Sequence, residues 1–169
     1  MNTPYINDSH ISLDKFATLC AQTLRKGDFP LARSADKNVP IYHHDDLLAA
    51  ARADRQTMLG ELHHALSGGP GVFVVQGLYR DLSAIDSSNK VFDNILVSEA
   101  TNGGGGDHFA KAGSNGRIWN ALQKVAERDA DAFVDYYSNP LLALICEAWV
   151  GPGYEITAQV NQVRPGGKA

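Results

Sequence analysis

The chain has 169 residues, a length typical of one globular domain, and 44% of its residues are apolar while 20% are charged. Its net charge of −4 and pI near 5.8 offer no basic surface for nucleic acid. The N-terminus lacks the features of a signal peptide, and no run approaches the roughly 18 apolar residues of a membrane span. Cys20 and Cys146 stand far apart, and Cys146 lies in an apolar run, which is typical of reduced thiols. We therefore expect a cytoplasmic protein that acts on a small molecule, with no nucleic-acid or membrane partner.

The first half of the chain predicts a helix, a loop, a second helix and a strand, in that order. Apolar spacing indicates a short amphipathic helix over residues 11–25. Residues 28–42 contain two prolines and follow neither the helical nor the strand period, so we expect a connecting loop there. Residues 44–67 present one continuous apolar face, which predicts a single long helix. The β-branched run 71–76 predicts a buried strand.

The second half predicts four helices, a glycine-rich loop and a final strand. Asp81 or Ser83 is the expected cap of a helix that runs through Val97, and further helices are predicted over 117–127, 129–137 and 140–150. In the last of these, Asn139 is the expected N-cap and Pro140 the first helical residue. Thr101 to Asp107 contains four consecutive glycines, which predicts a flexible lid or linker without regular structure. Tyr154 to Val163 alternates polar and apolar residues, as a strand does.

One set of residues imitates an iron site. His44 and Asp46 form a literal His-x-Asp pair, His108 is a second histidine, and Arg117 follows nine residues later. Two histidines and one carboxylate are the ligand set that suits iron(II) in oxygenases. The pair opens a predicted helix, however, where residues i and i+2 do not face each other. We therefore expect no catalytic residue and no metal ligand within this chain.

The adjacent histidines at 43–44 and 63–64 diverge by about 100° on a helix, so we expect them to be surface or capping residues.

Candidate binding residues lie beside the glycine-rich loop. His108 stands between an acid and an aromatic residue, and residues 115–120 combine a cation with an aromatic side chain. Arg117 is suited to pair with a carboxylate or phosphate, and Trp119 to line an apolar pocket. Ile118 and Trp119 are equally suited to anchor the core of the next helix, and both interpretations stay open.

The final predicted strand has two distinct faces. Thr157, Gln159 and Asn161 share one face, while the intervening residues Ile156, Ala158, Val160 and Gln162 share the other. A polar strand face is commonly exposed to solvent, and in a barrel enzyme it can instead line the cavity that holds the cofactor. We regard Gln159 and Asn161 as candidate cofactor- or substrate-binding residues.

Three segments carry a resemblance to a known family: GVFVVQGLY at 71–79, DHFAKAGSNGRIWNALQK at 107–124 and YEITAQVNQVRPGGKA at 154–169. Together they resemble the phytanoyl-CoA dioxygenase family of iron(II)/2-oxoglutarate oxygenases. The strand that runs into Pro165-Gly166-Gly167 is similar to the approach to the family's His-x-Asp motif. The resemblance implies that the His-x-Asp pair, the distal histidine and the arginine that binds 2-oxoglutarate follow residue 169.

The resemblance implies an α+β chain: an N-terminal helical region and the first strands of a double-stranded β-helix, a cupin-like jelly roll whose barrel is incomplete here. Residues 1–169 would form one domain, the N-terminal part of a larger oxygenase domain. The full-length parent would use iron(II), 2-oxoglutarate and O2 to hydroxylate an unactivated C–H bond of a small molecule, and this chain alone would bind neither cofactor tightly. The alternative is a non-catalytic, mostly helical α+β binding or scaffold domain, complete at 169 residues.

Overall fold

The structure is a computed structural model that describes residues 11–25, 27–102, 115–163 and 165. Residues 103–107 of the predicted lid or linker and the candidate residue His108 lie outside the described residues, whereas Thr101, predicted as part of that loop, is the last residue of a helix. In chain order the elements are α1 (Leu13–Cys20), β1 (Ser34–Asp36), β2 (Val39–His43), α2 (His44–Ala53), α3 (Arg55–Ser67), β3 (Val74–Gln76), α4 (Ser83–Thr101), β4 (Asn115–Ile118), α5 (Ala121–Arg128), α6 (Ala130–Tyr137), α7 (Pro140–Val150) and β5 (Val160–Val163). The predicted α+β class is confirmed, and the described strands close no barrel.

The segment predicted as a loop over 28–42 contains a β-hairpin, so that prediction was wrong. β1 and β2 pair in antiparallel fashion through a two-residue turn. Lys37 and Asn38 form the turn with φ values of 47° and 67°, the left-handed pair that a tight hairpin requires. The usual sequence signal for such a turn is a glycine, which is missing here. Asn38 tolerates the left-handed region and also ties the turn to the preceding segment, because its side chain bonds Leu24 N and Gln22 O.

The long helix predicted over 44–67 is two helices. Asp54 ends α2 and caps α3, with extended backbone and a carboxylate that accepts from the Thr57 N–H at 3.0 Å. Asp at an N-cap competes with helix continuation by satisfying the next helix's free N–H groups. The chain therefore bends between α2 and α3 while both helices keep their apolar faces toward one core.

α2 and α3 form the connection between two parallel strands. β2 pairs with β3 in the register Ile41 opposite Val74 and His43 opposite Gln76, which gives a three-stranded sheet in the order β1-β2-β3. The prediction of a buried strand at 71–76 was wrong. β3 covers only Val74–Gln76, and it is an edge strand whose Val74 is 45% exposed. The fully or largely buried residues of the first core are Tyr42, Leu47, Met58, Leu59, Leu62, Leu141 and Ala148.

α4, α5, α6 and the β4–β5 ribbon surround a second core. The prediction of a helix over 117–127 was wrong about where the helix begins. Residues 115–118 pair with β5, and Asn120 turns the chain with a φ of 54° before α5 begins. The final strand was predicted too long: β4 ends at Ile118, so β5 has a pairing partner only from Val160 onward. The buried residues of the second core are Val91, Phe92, Ile95, Ile118, Ala121, Val125 and Ala132.

α7 confirms its sequence signals and packs in the first core. Asn139 accepts from the N–H groups of Leu141 and Leu142, and Pro140 is the first helical residue. The Asn139 side chain also donates to Leu78 O at 2.8 Å, two residues after the end of β3. α1 differs from this pattern: it is shorter than predicted, and none of its residues is buried.

Candidate functional site

The β4–β5 ribbon brings together two separated candidate segments. Arg117 lies directly opposite Asn161, and Ile118 lies directly opposite Val160. Residues directly opposite in an antiparallel pair project their side chains to the same face, and successive residues alternate between faces. Arg117 and Asn161 therefore share one face of the ribbon, and Ile118 and Val160 share the other.

The face that carries Ile118 and Val160, which we call the inner face, packs against helix α4 and its neighbours. Ile118 is fully buried in the second core, and Val160 packs against the same core. Gln162 donates from Nε2 to Asp93 Oδ1 of α4 at 3.1 Å. At Gly116, a Cβ atom would lie 2.9 Å from the Leu96 side chain, so α4 approaches the ribbon too closely for any larger residue without movement. The helices therefore cover this face.

The opposite face of the ribbon, which we call the outer face, carries four of the candidate residues: Arg117, Trp119, Gln159 and Asn161. Asn161 and Gln159 are exposed, and the guanidinium carbon of Arg117 lies 5.1 Å from the ring centroid of Trp119. A cation over an indole face at this distance contributes about 0.5–1 kcal/mol at an exposed site and restrains the guanidinium. Trp119 is 37% exposed, so it is not the buried core anchor that one interpretation favoured.

The alternation predicted for the final segment matches the observed burial along most of its length. Thr157, Gln159 and Asn161 are exposed, whereas Ala158, Val160 and Gln162 are half-buried. Ile156 departs from the pattern, since it is 42% exposed. Sequence reasoning did not find that Arg117 pairs with Asn161. The segment NGRI shows no clear alternation, and register depends on contacts that the sequence does not display.

The residues whose spacing resembles an iron site, His44 and Asp46, are engaged in other contacts. His44 opens α2, as expected, and its Nδ1 lies 3.0 Å from Asp45 Oδ1. Asp46 accepts a bidentate pair of bonds from Arg33, at 2.5 and 3.0 Å, which lowers the pKa of that carboxyl. His44 and then Arg80 lower the pKa of Asp45 to about 2. His43 caps α2 by accepting from the Asp45 N–H, in line with the capping role expected for the adjacent histidines.

Another acid with a shifted pKa, Glu61, has a structural role. Burial raises the pKa of Glu61, which accepts from the Leu31 N–H at 3.0 Å and lies beside the buried hydroxyl of Tyr42. Perturbed acids mark functional sites only when they line a cleft with other reactive groups. Glu61 instead fastens the segment before β1 onto α3.

Within residues 11–25, 27–102, 115–163 and 165, no group of three or more His, Cys, Asp or Glu side chains is placed to hold a metal ion. In the same part of the chain, no helix is long and apolar enough to cross a bilayer. No family model, no curated protein and no solved structure matches this chain.

Proposed function

We propose that this chain forms the N-terminal part of an iron(II)/2-oxoglutarate-dependent oxygenase similar to phytanoyl-CoA dioxygenase, acting on a small molecule in the cytoplasm. In this proposal β4 and β5 are strands of a jelly-roll barrel that later segments complete. The sequence resemblance of segments 71–79, 107–124 and 154–169 motivates the proposal.

The observation that carries the proposal is the two-sided character of the β4–β5 ribbon. One face is covered by α4 and its core, while the other exposes Gln159 and Asn161 and carries a half-buried Arg117 against Trp119. In a β-barrel enzyme the helices pack outside the sheet and the ligand lies inside it. The face that carries Gln159 and Asn161 therefore has the place and the polarity expected of a cavity lining.

The described residues do not fit the metal that the family uses, because they hold no suitable cluster of ligands. Asp46, the nearest imitation of a ligand, is engaged by Arg33. The proposal accordingly places the iron ligands outside the described residues, beyond residue 169. The contribution that we assign to this chain is recognition of the oxoacid or the substrate.

The outer-face residues combine hydrogen-bond donors with an apolar surface. Arg117 supplies a permanent positive charge with planar donors, which suits a carboxylate. Asn161 and Gln159 supply amide donors and acceptors at alternate positions of one strand. Trp119 gives an apolar wall beside the cation and would help to exclude water once further strands cover this face. Together these groups would orient an anionic or polar small molecule.

Replacement of Asn161 by Ala tests this assignment in the full-length protein. We expect the turnover of 2-oxoglutarate to fall by tenfold or more while the melting temperature changes little, because an exposed amide contributes to ligand orientation and not to core packing. The measurement is succinate formation, together with thermal unfolding of the same sample. Asn89→Ala is the matched control, since Asn89 is an exposed asparagine on α4.

Normal turnover with a large loss of stability in Asn161→Ala would show that this residue is structural, and the assignment would be wrong. Absence of iron-dependent succinate formation in the unmodified full-length protein, with any substrate class, would instead favour the non-catalytic binding or scaffold domain.

A further inference from the structure

The two edges of the β1-β2-β3 sheet differ in charge. The β1 edge is flanked by Arg33 and Lys37 and contains Asp36, all of them exposed. The segment Gly71 to Gly77 around β3 contains no charged residue and no proline. Natural edge strands are usually protected by charges, prolines or bulges, because their unpaired backbone groups recruit other strands. The sheet protects one edge and leaves the other unprotected.

The β3 edge is open in the described residues. β3 pairs only with β2, and the backbone groups on its other side make no hydrogen bond to any described residue. Val72 and Val74 are 47% and 45% exposed, which is high for β-branched residues in a strand. Phe73 and Val75 point the other way and pack against the first core. The edge is thus apolar on both faces and has free backbone donors and acceptors.

We propose that β3 pairs with β3 of a second copy of this chain, in antiparallel fashion about a two-fold axis at Val74. That axis sets Val74 opposite its own counterpart, Phe73 opposite Val75, and Val72 opposite Gln76. A two-fold interface must be complementary to itself, and this one brings no like charges together. The two three-stranded sheets become one sheet of six strands.

The hairpin turn limits pairing at the β1 edge. The equivalent axis at Ala35 would need Lys37 to extend the strand pair, and Lys37 lies in the turn with a φ of 47°. Two short strands bury less surface than a standard interface, so the dimer is a weak one, with a dissociation constant on the order of 0.1 mM. This inference does not depend on the proposed function.

Sedimentation velocity of the 169-residue chain, from about 10 µM to about 1 mM, tests the proposal. We expect concentration-dependent dimerisation. Val74→Lys should weaken it by at least tenfold, because two lysines would meet at the axis. Ala35→Lys places the same charge on the protected edge, so this matched control should leave dimerisation unchanged. A chain that stays monomeric throughout, or a Val74→Lys variant that dimerises as well as the unmodified protein, would overturn the proposal.

Mixing Val74→Lys with Val74→Glu tests the position of the axis. Each variant alone should be monomeric, and the mixture should form a heterodimer, because opposite charges then meet at the axis. A mixture that associates no better than its components would refute pairing at Val74. On the unmodified chain, amide exchange of residues 72–76 should slow as concentration rises while that of residues 34–36 stays constant. Equal behaviour of the two edges would likewise refute the proposal, whatever the variants do.

Discussion

At the scale of single residues, two aspartates divide the helical segments. Asp54 lies between α2 and α3, and Asp129 lies between α5 and α6; both have extended backbone. Each carboxylate accepts from the N–H three residues later, in Thr57 and Ala132. An N-cap aspartate that also ends the preceding helix fixes the angle between consecutive helices. These two residues therefore determine how the helices fold back onto their cores.

We predict that Asp54→Ala lowers the melting temperature by several degrees near neutral pH, because α3 loses its cap. The hydrogen bonds from the side chain and backbone of Thr57 hold the pKa of Asp54 below its usual value. A carboxyl with a lowered pKa stabilises the fold above its unfolded pKa of roughly 3.9 and loses that effect as pH falls through the folded pKa. The penalty of the substitution should thus shrink on acidification below about pH 4.

Asp54→Asn is the control for the cap, because its amide oxygen still accepts a hydrogen bond and its side chain does not titrate. Thermal unfolding from pH 7 to pH 3 should show a smaller loss than in Asp54→Ala. An Asp54→Ala penalty that is constant across this range would contradict the role of the ionised carboxylate.

At the scale of elements, the β1–β2 hairpin has two separable supports. The turn needs left-handed backbone at Lys37 and Asn38, and the Asn38 side chain bonds Leu24 N at 3.0 Å and Gln22 O at 3.0 Å. The first support depends on backbone freedom and the second on a side-chain amide. Substitutions at one residue can therefore remove either support or both.

We predict that Asn38→Ala lowers the free energy of unfolding by about 1–2 kcal/mol, since alanine is strained in the left-handed region and lacks the amide. Asn38→Gly should cost less, because glycine adopts this conformation freely and only the amide bonds are lost. Urea denaturation of both variants measures the difference. Equal losses of unfolding free energy in the two variants would show that the left-handed backbone at residue 38 adds nothing to the effect of the amide.

Elements whose signals are local could be predicted from the sequence. α4, α6 and α7 have apolar periodicity or capping residues that act within a few positions, as Asn139 and Pro140 do at α7. Strands depend on partners far along the chain. β5 is short because β4 ends at Ile118, and the hairpin turn uses Lys37-Asn38 without a glycine. These facts follow from tertiary pairing, which one sequence does not reveal.

At the scale of the whole molecule, two cores meet at a small polar junction. Tyr79 donates from its hydroxyl to Tyr136 O at 2.5 Å, and the two rings stack with centroids 6.0 Å apart. Asn139 spans the same region by bonding Leu78 O while it caps α7. This junction fixes the segment after β3, which belongs to the first core, against α6 of the second.

We predict that Tyr79→Phe lowers the free energy of unfolding by about 1 kcal/mol, since it removes one hydrogen bond and keeps the stacked ring. Tyr79→Ala should cost more, because it also removes the aromatic contact with Tyr136. Chemical denaturation measures both. If the two variants lose the same stability, the ring stack contributes nothing to holding the cores together.

The site could be predicted in part. The alternation after Tyr154 identified Gln159 and Asn161 as neighbours on one face, because strand parity is readable from sequence. That Arg117 lies opposite Asn161 was not readable, since the segment containing Arg117 was assigned to a helix. The central claim rests on that register, which joins two distant segments on the face of the ribbon opposite α4.

The fluorescence of Trp119 tests that claim directly, and Trp149, an exposed residue of α7, provides the control. In the full-length protein, loaded with iron and kept free of oxygen, addition of 2-oxoglutarate should change the tryptophan fluorescence in a saturable manner. Trp149→Phe should keep this change, and the matched Trp119→Phe variant should reduce it. A change that Trp119→Phe retains in full, or no change in a protein that turns over 2-oxoglutarate in air, would contradict the assignment of the outer face of the β4–β5 ribbon to the cavity.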